Sequence, residues 1–158
     1  MSTGPKTIWF EEALLEDGWA RGVRLTLDAG LIASIETDAV RQPGEAGRGV
    51  AVPGLCDLHS HAFQRGMAGL SEVAGPASDN FWTWREAMYR FVDHLTPEDN
   101  AAIAAFAFAE MLEAGFTRIG EFHYLHNDLN GTPYGDPAEM THGIVAAASD
   151  VYKRQSIQ

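Results

Sequence analysis

Two imidazoles two residues apart, His59 and His61, close an apolar run. The run climbs through Val50–Val52, breaks at Pro53-Gly54 and resumes as Leu55-Cys56-Asp57-Leu58. In a strand, residues at this spacing point to the same side, roughly 6.6 Å apart along the backbone. Each ring need only bring one nitrogen to about 2.0–2.1 Å of a zinc ion, so the pair can grip a single cation. The same spacing also suits two hydrogen-bonded, inert strand-end histidines, and spacing alone leaves both readings open. Context favours chemistry: a strand apolar on both faces belongs in a parallel sheet covered by helices, and polar groups at the carboxyl end of a barrel strand usually serve a reaction. Ser60 and Cys56 then face the other way, and Cys56 reads as a small core residue.

Two more residues stand out by position. Arg85 falls inside the apolar stripe Phe81, Trp84, Met88, Phe91 or Val92, and Leu95, spaced for a helix beginning at Phe81 with Asp79 or Asn80 as its cap. A guanidinium buried there needs an anionic partner; on spacing alone it snorkels to the surface or pairs with a protein carboxylate. Tyr124 ends the run Phe116–Tyr124, which reads as a strand whose Gly120 permits close approach by a neighbour. By itself it is an ordinary strand-end aromatic. His123 and His126 read as groups that hydrogen-bond the following loop, Leu125–Asp136.

The run P-G-L-C-D-L-H-S-H at 53–61 resembles the first-strand signature of the amidohydrolase superfamily, metal-dependent hydrolases and deaminases on a (β/α)8 barrel. H-A-F-Q-R-G-M-A-G-L at 61–70, F-W-T-W-R-E at 81–86 and E-F-H-Y-L-H-N-D at 121–128 resemble one branch of it, the formimidoylglutamate deiminases of histidine breakdown. Together these blocks span most of residues 51–140. The resemblance implies hydrolytic deimination of N-formimidoyl-L-glutamate to N-formyl-L-glutamate and ammonia, with zinc or another divalent metal, one ion per active site. It makes His59 and His61 metal ligands and gives Gln64, Arg85 and Tyr124 to a small anionic amidine substrate, the arginine clamping a carboxylate through its planar fork. It also implies a third histidine, an aspartate and the proton-moving glutamate and histidine beyond residue 158, so that no catalytic acid or base lies within this chain. The full-length enzyme would be a homodimer. A purine or pyrimidine deaminase or an imidazolonepropionase-like hydrolase would share the first-strand signature. Outside enzymes, the alternative is a structural or binding module with the histidines merely packed.

Length and charge bound these readings. A complete barrel takes roughly 250 residues; with 158 residues the chain reads as the amino-terminal part of a longer α/β enzyme. Eleven basic against 22 acidic residues leave a net charge of −11, which repels nucleic acid and anionic membranes. An anionic substrate must then meet a local cationic group. No stretch approaches 18 apolar residues and the amino terminus lacks a signal-peptide core, so a cytoplasmic protein is expected. The single cysteine excludes an internal disulfide.

Turn chemistry divides the remainder. Asp17-Gly18 and Ala29-Gly30 separate three β-rich runs over residues 7–38, an antiparallel meander, which the resemblance makes half of a β-sandwich domain covering residues 1–50. Gln42–Gly49 reads as a Gly/Pro-rich connector into the first β/α units at 51–148. Ala62–Ser78 reads as a long loop. Thr96, Pro97, Glu98 and Asp99 start a second helix that runs to Ala114 and stops at Gly115; with Ala101–Ala109 apolar almost all round, it should be enclosed, Phe106 and Phe108 being packing residues. A third helix begins near Pro137 and fades at Ala148. Residues 149–158 neither extend its stripe nor resemble the family, as expected of an artefactual end.

Overall fold

Turns shape the amino-terminal sheet. The computed structural model describes residues 6–71 and 79–151 and divides into one unit through Gly54 and another from Leu55. In the first, strand β1 (Lys6–Leu15) pairs antiparallel with β2 (Gly18–Asp28), which pairs antiparallel with β3 (Leu31–Glu36). Ala29 and Gly30 both take positive φ, 50° and 85°, as a two-residue hairpin turn of the I′ type requires. The Gly/Pro-rich stretch expected as a connector does more than connect. Its second half forms β4 (Ala46–Ala51), which lies parallel to β1 and gives the order β3-β2-β1-β4. An edge strand asks little of its side chains, and the Arg41 guanidinium lies where a Cβ on Gly47 would sit.

One ion cluster locks this sheet. Arg24 on β2 donates from Nε to Glu45 Oε1 at 2.6 Å and from Nη1 to Glu36 Oε2 at 2.8 Å. Its Nη2 donates to the Val40 carbonyl at 2.9 Å. The Arg24 hydrogen bond holds the Glu45 carboxyl below the usual carboxylate range, aided by the Gln42 amide.

The second unit is built on a two-stranded parallel sheet, β5 (Leu55–Ser60) with β6 (Phe116–Glu121). Between them run helix α1 (Phe81–Val92) and helix α2 (Pro97–Glu113), and α3 (Glu139–Val151) follows. Both expected caps form boxes: Asn80 accepts from Trp82 N–H, and Thr96 accepts from Asp99 N–H while the Asp99 side chain answers the Thr96 amide. Phe108, Ala104, Ala107, Ile144 and Ala147 make one core between α2 and α3; Phe63, Met67, Met88, Leu95, Leu125 and Met140 make another.

Several expectations are corrected here. Ala62–Met67 is a 3-10 helix and not open loop, because Phe63 and Met67 anchor it in the core; residues 72–78 of that stretch lie outside the described residues. Phe106 is 55% exposed, and the Arg65 guanidinium lies over its ring. Cys56 is exposed, as are Leu55 and Leu58 on the same strand. Among the described residues only β6 pairs with β5, so apolar composition on both faces did not guarantee cover. Helix α3 passes Ala148 to Val151, whose side chain packs against the α2/α3 core; the rest of the expected atypical tail lies outside the described residues.

Candidate metal and substrate site

The tip of β5 is irregular, and a glycine makes that possible. Asp57 opposes Ile119 and Ser60 opposes Glu121, so Leu58 and His59 together face Gly120 alone. A bulge of this kind re-aims the strand. A Cβ on Gly120 would stand 2.9 Å from the Leu58 carbonyl oxygen, so only glycine lets the bulged backbone approach β6. With no ladder partner, the His59 N–H instead donates to Asp57 Oδ1 at 3.0 Å.

The two imidazoles converge. His59 Nε2 and His61 Nε2 are 3.0 Å apart, with the rings edge to face. His61 Nδ1 stands 2.6 Å from the Phe122 carbonyl. A carbonyl only accepts, so Nδ1 carries the proton and the Nε2 lone pair is left for a ligand bond. Two nitrogens held by one tetrahedral zinc lie roughly 3.3 Å apart; the pair fits such an ion with a few tenths of an ångström of widening. Among the described residues no group of three or more histidine, cysteine or acidic side chains is arranged to hold a metal.

Tyr124 and Gln64 gather beside the couple. The Tyr124 ring stands edge-on to His61, with centroids 5.9 Å apart, and to Phe63 at 5.3 Å. Gln64 Nε2 donates to Tyr124 Oη at 3.4 Å, and that hydroxyl donates to Met88 Sδ at 3.0 Å. Arg85 lies one turn before Met88 on α1 and touches none of these groups directly. Its Nε and Nη2 donate to Tyr89 Oη at 3.1 and 2.7 Å, and its guanidinium lies over the Tyr89 ring. No carboxylate pairs with it among the described residues, so the partner expected for a buried arginine is absent. Tyr89 and Tyr124 line a cleft of about 410 Å³ with Asp93, His126 and Asp128.

His123 sits apart from the couple. Its Nε2 is 2.7 Å from Thr141 Oγ1 and its ring lies 5.5 Å from that of His126. Burial, then the nearby His126, push its pKa below the ordinary histidine value. Sequence reasoning passed over Glu121, whose Oε1 accepts the Ala62 N–H at 2.9 Å, and Tyr89. A carboxylate closing an apolar strand two residues before His123 was the available signal for the first; an i+4 aromatic after Arg85 was the signal for the second.

The Amidohydrolase family matches residues 50–151. The chain belongs to the amidohydrolase family. Residues 6–49 of this amidohydrolase match a second description, Formimidoylglutamate deiminase HutF, N-terminal domain. Over 143 residues it is 53% identical to the formimidoylglutamate deiminase of Pseudomonas aeruginosa, covering 90% of this chain and 32% of that protein. Over 82 residues it is 32% identical to the 8-oxoguanine deaminase of the same organism, covering 51% of this chain and 17% of that protein. The crystal structure of an amidohydrolase from Brucella melitensis superimposes with a TM-score of 0.79 at 52% identity, over 92% of this chain and 32% of that one. The fold is shared with a zinc-bound adenosine deaminase from Xanthomonas campestris, at a TM-score of 0.60 and 17% identity over 91% of this chain and 31% of that one. The amidohydrolase chain thus spans about a third of the length of the Pseudomonas deiminase and of the two solved structures. Among the described residues no helix is long and apolar enough to cross a membrane.

Proposed function

We propose that this chain supplies the first two strands of a (β/α)8 barrel, two metal ligands and three substrate contacts to an enzyme that hydrolyses N-formimidoyl-L-glutamate to N-formyl-L-glutamate and ammonia. The observation that carries the reading is the convergence of the two Nε2 atoms, 3.0 Å apart, with the His61 Nδ1 proton committed to a backbone carbonyl. The identity to the Pseudomonas deiminase supports the choice of substrate. A divalent cation bound there, zinc by the chemistry of the ligands, supplies a water acidic enough to act as nucleophile near neutral pH. His59 and His61 would hold the ion through Nε2. Arg85 would leave Tyr89 to meet the substrate's carboxylate in a two-pronged contact, while Gln64 and Tyr124 orient the glutamate end, turning binding energy into alignment.

Ammonia release from N-formimidoyl-L-glutamate tests this. The full-length polypeptide should turn over and the 158-residue chain should not; turnover by the short chain would place the acid, base and remaining ligands within it and overturn the assignment. In the full-length protein His59→Ala should lose bound zinc. Arg85→Ala should raise KM by about 10–100-fold, the value of charged hydrogen bonds to a carboxylate.

The likeness to an 8-oxoguanine deaminase over half the chain favours one second reading, deamination of a planar purine. Such a ring offers no α-carboxylate. Under that reading Arg85→Ala leaves KM unchanged and a purine is the better substrate.

A further inference from the structure

Three contacts tie the end of β6 to the residues that leave β5. The Phe122 N–H donates to the Ser60 carbonyl at 2.9 Å, the Phe122 carbonyl takes the His61 Nδ1 proton, and Glu121 Oε1 accepts the Ala62 N–H. The first two use the backbone of Phe122, just past β6, which any residue but proline would present. The third is a side-chain contact, and it is made at the first residue of the 3-10 helix that carries Gln64. Ala62 is itself buried at 3% exposure in the α2/α3 core, and Glu121 supplies the acceptor for its amide. The other oxygen, Glu121 Oε2, is buried and has no hydrogen-bond partner among the described residues. A carboxylate oxygen left bare at a site with many possible substitutes is costly to keep, which argues that the placement of Oε1 is the reason for the residue.

We infer that Glu121 is a positioning residue for the histidine couple: by fixing the Ala62 amide it holds the turn out of β5, and through it the His61 ring on the Phe122 carbonyl. This rests on the metal-binding reading above for its functional meaning, though not for its geometry. Loss of the clamp frees the backbone on the carboxyl side of His61, and the imidazole then samples both tautomers, only one of which presents the Nε2 lone pair to the ion. Gln64 moves with the same turn. Supporting groups of this sort around a metal ligand are typically worth 10–100-fold in metal affinity or activity.

The test uses the full-length protein with three readouts: nitrogen NMR of the His61 ring in the metal-free protein, zinc affinity by competition with a chelator, and kcat separated from KM. Glu121→Ala should replace the single Nδ1–H tautomer of His61 by a mixture, weaken zinc binding about 10–100-fold and lower kcat more than it raises KM. Glu121→Gln keeps an oxygen acceptor for the Ala62 amide and should stay within about threefold of wild type, as a positional role allows. Ala62→Pro, which removes the donor at a first helical position where proline is tolerated, should reproduce the zinc and tautomer effects even where Glu121→Ala fails to fold. An unchanged His61 tautomer and zinc affinity in both Glu121→Ala and Ala62→Pro, or Glu121→Gln as damaging as Glu121→Ala, would overturn the inference. A wild type that binds no zinc but whose His61 tautomer responds as described would uphold the positioning and sink the functional reading instead.

Discussion

The two sheets of this chain are held by opposite means. In the amino-terminal sheet, β1 is paired on both sides, the turns set the register and a side-chain cluster around Arg24 ties β2 to the segment leading into β4. The β5/β6 pair has no hairpin and no ion pair between its strands; backbone bonds and the helices that join it do the work, and its tip is bulged. The difference shows where each can tolerate change. The amino-terminal sheet has an irregularity of its own at Thr26/Leu27, but it spreads its stability over three strand pairings, whereas β5 and β6 rely on one pairing, one glycine and a few clamps, and the candidate chemistry sits there.

Breaking the bulge should have the largest effect. Gly120→Ala pushes a methyl group against the Leu58 backbone, where neither side can yield by rotating a side chain. It should destabilise the second unit by about 1–3 kcal/mol and weaken zinc binding in the full-length protein, read by denaturant melts and chelator competition. Gly18→Ala, at the first residue of β2 with open space around it, meets only the strain of its φ of 114° and should leave zinc affinity untouched. Equal zinc affinity in wild type and Gly120→Ala would show that the bulge does not aim the histidines.

Next comes a helix cap. Thr96→Ala removes one half of the box that opens α2 and should cost about 1 kcal/mol, seen as a shift in the urea midpoint with no change in slope.

Acid separates the units with smaller effects. Glu45 is held below its ordinary pKa in the folded sheet, so its contribution is present above the unfolded carboxylate pKa and is lost as pH falls through the lower folded value. Glu45→Gln should flatten that acid limb for the first unit. His123 is also lowered, by burial first; the folded protein prefers it neutral, so stability is full above the unfolded histidine pKa of about 6.5 and declines as pH falls below it. His123→Gln should abolish the decline in the second unit below the unfolded histidine pKa while leaving the Glu45 limb intact. Persistence of the decline in that variant would assign it to another histidine.

Turn chemistry made the amino-terminal meander readable in advance: Ala29-Gly30 is the turn where expected, while the break read at Asp17-Gly18 falls one residue earlier, at Glu16-Asp17, with Gly18 already paired to Leu15. The caps at Asn80 and Thr96 were equally plain, because a side chain that must accept a helix amide has few substitutes. The strand at Ala46–Ala51 was not, because its partner β1 is some forty residues earlier and edge pairing leaves no local pattern. The histidine couple was found by spacing that assumes a regular strand, yet the bulge at Leu58-His59 means the convergence arises from a backbone irregularity that no periodicity encodes. Phe106 misled for a related reason: a helix apolar all round does not say which of its faces receives a neighbour. Arg85 sits where its spacing placed it, inside the stripe of α1; of the two readings spacing left open, a protein carboxylate partner is not found among the described residues, and the half-exposed guanidinium rests on Tyr89 one turn on.

Because the His59 amide donates to the Asp57 side chain of its own strand and not to β6, the end of β5 is hinged to itself. Under the proposed function, His59 would be the ring that shifts to admit an ion, while His61 stays anchored on the Phe122 carbonyl.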